Sequence, residues 1–329
     1  MFSKIKSKFK KSPHIYYAMS IAATWANAGS LLNGIGTAQK NGIIPFLLWA
    51  LGNTLACIVF GIAAPRIPKL RDVFRSRLMK IVMGLMCPFQ CWISMNGIQT
   101  VFSDTVIGPK IGVMVALAFA FGFIILLWKS GMIRNILTDY ASWTAVYGIV
   151  FALALIPVIR GKTISLAMGV TDIHVGIKNC LLLIPGAFLY PYYYEILDYN
   201  DKNGDGTESI NVKSAFITGG CLFGVYLVFI FIMAFAEFSP AVKIVEAVLV
   251  TLIAASSLSS FLYSIYLTFG RKLGLILNVA TAFLWQLLIP LGVMGAWTLM
   301  ASIRIYIVAG AIITALLWNS IEKRKAVST

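Results

Sequence analysis

The sequence predicts an all-α membrane protein of about ten transmembrane helices, arranged as two five-helix halves of opposite orientation. Three observations carry this. Of the 329 residues, 59% are hydrophobic and only 12% charged, whereas a soluble domain is nearer half apolar and a quarter charged. The apolar residues fall in long continuous runs, each close to the ~20 residues a helix needs to cross hydrocarbon and too long for barrel strands. The 27 Lys and Arg residues, which give a net charge of +15, gather between those runs. A single membrane domain then fills residues 1–329, with short tails at 1–13 and 321–329.

Span 1, residues 14–36, follows the basic tail KIKSKFKK. It reads as a retained helix and not a signal peptide, because the apolar stretch is long and no small-residue cleavage site follows. Span 2, 42–63, leads to the basic segment RIPKLRDVFRSRLMK at 66–80, which feeds span 3 at 77–102. Spans 4 and 5 cover 106–128 and 138–158. The second half, 174–320, supplies 174–197, 213–236, 241–268, 273–297 and 299–320, with the last two separated only at WTLMASIR.

Ten crossings put both ends on one side. Twenty of the cations lie on that side, in the N-terminal tail and at 66–80, 129–134, 202–213, 271–272 and 323–325. Six lie opposite (Lys40, Lys110, Arg160, Lys162, Lys243 and Arg304), and Lys178 falls within a span. Basic residues accumulate in cytoplasmic loops, so both termini are expected in the cytoplasm and the chain in the lipid bilayer of a plasma (inner) membrane. Charge dispersed in this way does not suit a nucleic-acid surface.

An odd number of helices in each half inverts the second half relative to the first, a recurrent plan in transporters. In that plan the first helix of each half is interrupted. Span 1 contains WANAGSLLNGIG and span 6 contains LLIPGAFLYP. Asn27, Gly29, Ser30, Asn33, Gly34 and Gly36 in one, and Pro185, Gly186 and Pro191 in the other, supply breaks at corresponding depth. Span 8 carries LIAASSLSSFLYSIYLTFGRK, with Ser256, Ser257, Ser259, Ser260 and Ser264 in nine residues. Serines pack helices and bond back to their own carbonyls, which suits Ser260 and Ser264. Ser256 and Ser257 point about 100° apart, and two such hydroxyls can converge on a small ion. A hard cation wants neutral oxygens, and the broken span 1 offers free carbonyls. The pattern therefore predicts a sodium site between the break in span 1 and the hydroxyl pair of span 8.

SSLSSFLYSIYLTFGRK resembles the ninth-helix motif of the sodium/solute symporter family, within the amino acid–polyamine–cation superfamily. LLWKSGMIRNILTDYASW is similar to that family's signature around a Thr-Asp pair, here Thr138-Asp139. ATWANAGSLLNGIGTAQKNGI resembles its first core helix, and IPKLRDVFRSRLMKIVMGLMCPFQCWISMNGIQ its basic loop and third core helix. The resemblance implies a LeuT-like 5+5 inverted repeat with broken helices 1 and 6. It also implies a sodium ion (Na+) as coupling ion, held by carbonyls of Ala23, Ala26 and Ile253 and hydroxyls of Ser256 and Ser257, with Asp139 on the ion's exit path. The chain departs from the family in lacking helices outside the ten-helix core and in carrying Trp25 where relatives often have a polar or acidic residue.

Asn27, Ser30, Asn53, Gln90, Trp92, Asn96, Tyr190 and Tyr263 are the uncharged polar and aromatic residues at suitable depth to line a solute site. Amides with flat aromatic faces suit a small neutral or zwitterionic solute. No Lys or Arg falls mid-span near the breaks, which argues against a strongly anionic one. The expected function is sodium-coupled symport by alternating access. The alternatives are a non-transporting membrane sensor or assembly partner on the same fold, and a proton- or nucleobase-linked symporter.

Other features carry less. Cys57, Cys87, Cys91, Cys180 and Cys221 all lie in spans and read as small buried apolar residues. DKNGDGTESINV imitates a calcium loop through Asp201, Asn203, Asp205 and Gly206, but Val212 stands where a bidentate Glu is required. His14 and His174 have no evident catalytic partner, and no enzyme is expected.

Overall fold

The computed structural model describes residues 12–128, 131–161, 173–203 and 211–328, and its regular elements are helices. Span 1 is two helices, α1 (Pro13–Trp25) and α2 (Ala28–Asn41). Ala26 leaves helical geometry at ψ 126°, and Asn27 then caps α2 by accepting from the Ser30 N–H at 3.1 Å. An Asn that satisfies an orphan N–H of the next turn is a standard way to restart a helix. α3 (Ile43–Ala63) returns across the bundle, and a short α4 (Leu70–Arg75) bridges to α5 (Arg77–Ser103), α6 (Pro109–Leu127) and α7 (Met132–Ile159).

Span 6 is broken as well. α8 (Ile173–Leu183) passes into a 3-10 segment, Ile184–Leu189, and the chain bends by 53° before α9 (Pro191–Asn203). Proline forbids helical geometry in the residue before it and suits the first position of the next helix. Tyr190 is accordingly extended at φ −101°, ψ 104°.

α10 (Val212–Met233) precedes a 45-residue helix, α11 (Pro240–Leu284), that is not straight. Gly270 sits at φ 74°, ψ 173°, and the Asn278 amide donates to the Leu262 carbonyl, 16 residues away, at 3.1 Å. Sixteen residues of straight helix would separate them by about 24 Å. α11 is therefore a helical hairpin whose arms correspond to spans 8 and 9. A second 3-10 segment, Trp285–Leu291, then leads to α12 (Gly292–Ser328). This corrects the boundary expected at WTLMASIR. The chain breaks earlier, at Pro290 and at Gly292 with its φ of 64°, because the later stretch holds no helix breaker.

Seven of these helices are long and apolar enough to cross a membrane, or eight with the bent pair α8–α9. Large apolar side chains such as Met114, Ile125, Ile276 and Leu287 are exposed on the outside of the bundle. Soluble proteins seldom expose so much contiguous apolar surface, and the fold is that of an all-α membrane protein.

The first arm of α11 packs along α5, α10 along α1 and α3, α3 along α8, and α1 along α7. At one end of the bundle His14 and Thr218 share a hydrogen bond of 3.1 Å. Lys69 pairs there with Glu322 at 2.9 Å, and Arg71 and Arg75 both donate to Asp198. The start of α1, the α3–α5 loop, the end of α9 and the end of α12 thus meet at the same end. Asp205 and Gly206 of the calcium-like loop, and the basic tail 1–11, lie outside the described residues. Four cysteines are buried, whereas Cys221 lies on an exposed face of α10.

Candidate functional site

The two breaks bring polar groups to the centre of the bundle in two clusters. The first is a hub of hydroxyls where α1, α7, α9 and α11 meet. Asp139, 0% exposed, accepts from Ser20 at 2.5 Å, from Ser256 at 2.9 Å and from Asn135 at 3.3 Å. Ser20 spends its single proton on Asp139, so the Tyr192 hydroxyl 2.9 Å away is the donor of that pair. Ser260 accepts from Thr24 at 2.9 Å and from Asn135 at 3.0 Å, which ties the last turn of α1 to α11.

The serines therefore divide their labour. Ser256 reaches α7 through Asp139, and Ser257 meets Ser94 of α5 at 2.9 Å. Ser260 joins α1 and α7, while Ser259 and Ser264 bond back to carbonyls of their own helix. The adjacent Ser256 and Ser257 engage different helices, as their angular separation dictates. A hydroxyl that donates keeps lone pairs, so the bond from Ser256 to Asp139 leaves oxygen character facing the hub.

Ala23, Ala26, Ile253, Ser256 and Ser257 are all buried. Ala26 N–H closes on the Ala22 carbonyl at 2.9 Å, and no described backbone N–H closes on the carbonyls of Ala23, Thr24 or Trp25. A helix end leaves such acceptors to be satisfied from outside. Asp139 lies seven residues inside α7 and bonds directly to Ser256. The sequence-based span 5 began at 138 and placed it at a membrane edge. Among the described residues no cation lies within ion-pair distance of it.

The second cluster surrounds a cavity of about 20 Å³ between α2, α3, the span 6 break and α12. Asn27, Ser30, Asn53 and Tyr190, four of the expected solute residues, line it, together with Trp25 and Arg304. Gln90 joins them: its amide is 3.1 Å from that of Asn27. Trp25 Nε1 donates to Asn53 at 3.1 Å. The remaining three expectations fall elsewhere. Trp92 donates to the Thr281 carbonyl at 2.8 Å on the far face of α5, Tyr263 packs against Tyr192 beneath the hub, and Asn96 is buried without lining the cavity.

The main residue missed from sequence is Arg304. Sequence alone puts it on the loop side opposite the termini, away from the breaks and from any solute held there. In the structure it is 3% exposed, with its guanidinium 5.4 Å from the Tyr190 ring. Guanidinium has only donors, so the Gln90 atom facing it is the amide oxygen. In that orientation Gln90 accepts from both terminal nitrogens of Arg304 and, at 3.0 Å, from the Tyr190 hydroxyl. Arg304 Nε has no partner, and among the described residues no carboxylate pairs with this arginine. The overlooked signal was the Pro290–Gly292 break. Counted from Gly292, Arg304 lies twelve residues along α12, about 18 Å into a hydrocarbon layer about 30 Å thick.

No protein-family model matches the chain, and no curated protein matches it. The likeness to the symporter family stands on the quoted motifs alone.

Proposed function

We propose that the chain is a sodium-coupled secondary transporter that carries a small polar solute by alternating access, on a LeuT-like core of ten spans. The observation that carries the reading is the break after Trp25. It leaves the carbonyls of Ala23, Thr24 and Trp25 without a described backbone donor, at the end of a helix whose Thr24 and Ser20 side chains bond to Ser260 of α11 and to Asp139. Neutral oxygens at an unwound helix next to one buried carboxylate suit an alkali cation. Sodium moving inward supplies about 2.3 kcal/mol per charge per 100 mV, plus its concentration term.

The helix pairing supports two inverted halves. The third span packs on the eighth and the second on the seventh, pairs that a five-helix repeat maps onto themselves. The first packs on the seventh and the second on the sixth, a pair that the repeat exchanges. Both described ends at one end of the bundle suit an even number of crossings, and the excess of basic residues there supports a cytoplasmic side for that end, in keeping with a plasma (inner) membrane.

The test is solute uptake into proteoliposomes, with sodium replaced by potassium. We expect uptake to require sodium and the melting temperature of the purified protein to rise with sodium and not with potassium. Equal behaviour in the two salts rules out sodium coupling. A second reading, proton coupling, is favoured by Asp139 alone, because a buried carboxylate without a cationic neighbour can be neutralised by a proton as well as by a metal ion. Uptake driven by a pH gradient in sodium-free vesicles selects that reading.

A further inference from the structure

Arg304 raises a question the hub does not answer. An arginine in the middle of a membrane helix is expensive, faces the bundle interior and marks a pathway or a partner. Its usual compensation is a carboxylate, and among the described residues none is within reach. Everything it touches is neutral: the Gln90 amide oxygen, the Tyr190 ring and, at 3.1 Å from Nη2, the Met300 sulfur. Its Nε remains without an acceptor. The side chain is nonetheless held in place. Gly186 in the span 6 break has no side chain where a Cβ would stand 2.8 Å from the Trp25 ring and 3.2 Å from Arg304 Nη1. The break, the arginine and the cavity wall are packed together.

We propose that the transported solute carries a carboxylate and that Arg304 binds it, with the amides of Asn27 and Asn53 beside it as further donors. A planar carboxylate accepts two parallel bonds from a guanidinium fork. It would take up the unused donor capacity of Arg304, including Nε, and neutralise the charge. The cavity, about 20 Å³, admits about one water, so the acid binds by enlarging it, and the small starting volume favours a compact one. This inference rests on the transport reading for its purpose, although the recognition chemistry can be tested separately.

The experiment compares acetate and lactate with their neutral isosteres acetamide and lactamide, using thermal unfolding and calorimetric titration of the purified full-length protein in sodium buffer. The acids should raise the melting temperature in a concentration-dependent way, and the amides should not. Arg304→Gln should weaken acid binding at least about tenfold, the loss expected when a charge-assisted pair is removed. Arg304→Lys, which keeps the charge but not the fork, should fall between, and it carries the test if the glutamine variant does not fold. The proposal is overturned if acids and amides are indistinguishable, if neither acid binds, or if the folded variants keep wild-type affinity for the acid. A sodium titration without acid, on the same samples, reads the ion side separately. Sodium stabilisation without acid preference sinks the carboxylate and spares the coupling; acid binding indifferent to sodium does the reverse.

Discussion

The hub around Asp139 and the cavity around Arg304 are both buried and polar, both built on the same broken helix, and opposite in character. Thr24 faces the first and Trp25 and Asn27 the second. Among the described residues the hub, made of hydroxyls, holds one acid with no base, and the cavity, made of amides and indoles, holds one base with no acid. Had stability been the only requirement, the two charges would be paired with each other or replaced by apolar groups, since a lone buried charge is costly. Keeping them apart leaves each short of a counterion of opposite sign, which suits a protein that takes a cation at one place and an anion at the other.

The sharpest way to break this comparison is to neutralise one side and read the other. Asp139→Asn keeps the shape of the side chain but removes the charge and replaces one of its two acceptor oxygens by a donor amide. On the proposed function it should raise the sodium concentration for half-maximal stabilisation by tenfold or more, about 1.4 kcal/mol or above. Its effect on the melting temperature in sodium-free buffer should be small, because relief of an unpaired buried charge is offset by the acceptor lost to Ser20, Ser256 or Asn135. Acid binding in the absence of sodium should be unchanged in Asp139→Asn, and the sodium midpoint unchanged in Arg304→Gln. Loss of both properties in either variant would show the clusters to be one site.

How much of this was legible in sequence differs between the clusters for a physical reason. Breaks are written in local chemistry: Pro191 forces Tyr190 out of the helix and Asn27 restarts α2, so both interruptions could be read directly. The crowding of serines in α11 likewise marked a polar seam. Helical phase was harder. Trp92 lies two residues from Gln90 and so points to the opposite side of α5, and Tyr263 sits two turns beyond Ser256, below the cavity. Arg304 and Asp139 were misjudged because depth is counted from a helix start, and both starts were misplaced, α12 by seven residues and α7 by six. A charge moved two turns along a membrane helix passes from interface to interior.

A smaller effect sharpens the account of the serines. Ser260 accepts from both Thr24 and Asn135, so Ser260→Ala leaves two buried donors unsatisfied, at about 1–3 kcal/mol each. Ser264 donates to the Ser260 carbonyl of its own helix and also meets Cys87 of α5. Ser264→Ala, at a buried site but without two donors to strand, should cost about 1 kcal/mol, less than Ser260→Ala. Thermal or denaturant unfolding of the two variants side by side should separate them clearly. Equal losses would mean that Ser260 acts as a packing residue and not as the junction of three helices.

The smallest expected effect lies at the end of the bundle, where the charges, unlike those of the interior, are matched. Asp198 receives Arg71 and Arg75, and Lys69 pairs with Glu322 and lies 5.5 Å from the Trp318 ring. Together they fasten α4 to α9 and α12. These groups are partly exposed, and such pairs contribute about 0–1 kcal/mol and weaken in salt. Asp198→Asn should leave the binding of both ions intact and change only the rate at which this end of the bundle opens, an effect that fades as ionic strength rises. The hydrogen bond from Lys69 to Glu322 holds the ammonium above lysine's ordinary 10.5. A raised value means the pair is fully formed at neutral pH and is lost only as pH climbs through that raised value. Between pH 6 and 9, roughly, opening should therefore respond to salt and not to protons. Stopped-flow fluorescence of Trp318, with the other tryptophans replaced by Phe where folding allows, would follow it; a pH-dependent rate in that window would show that a different group controls the latch.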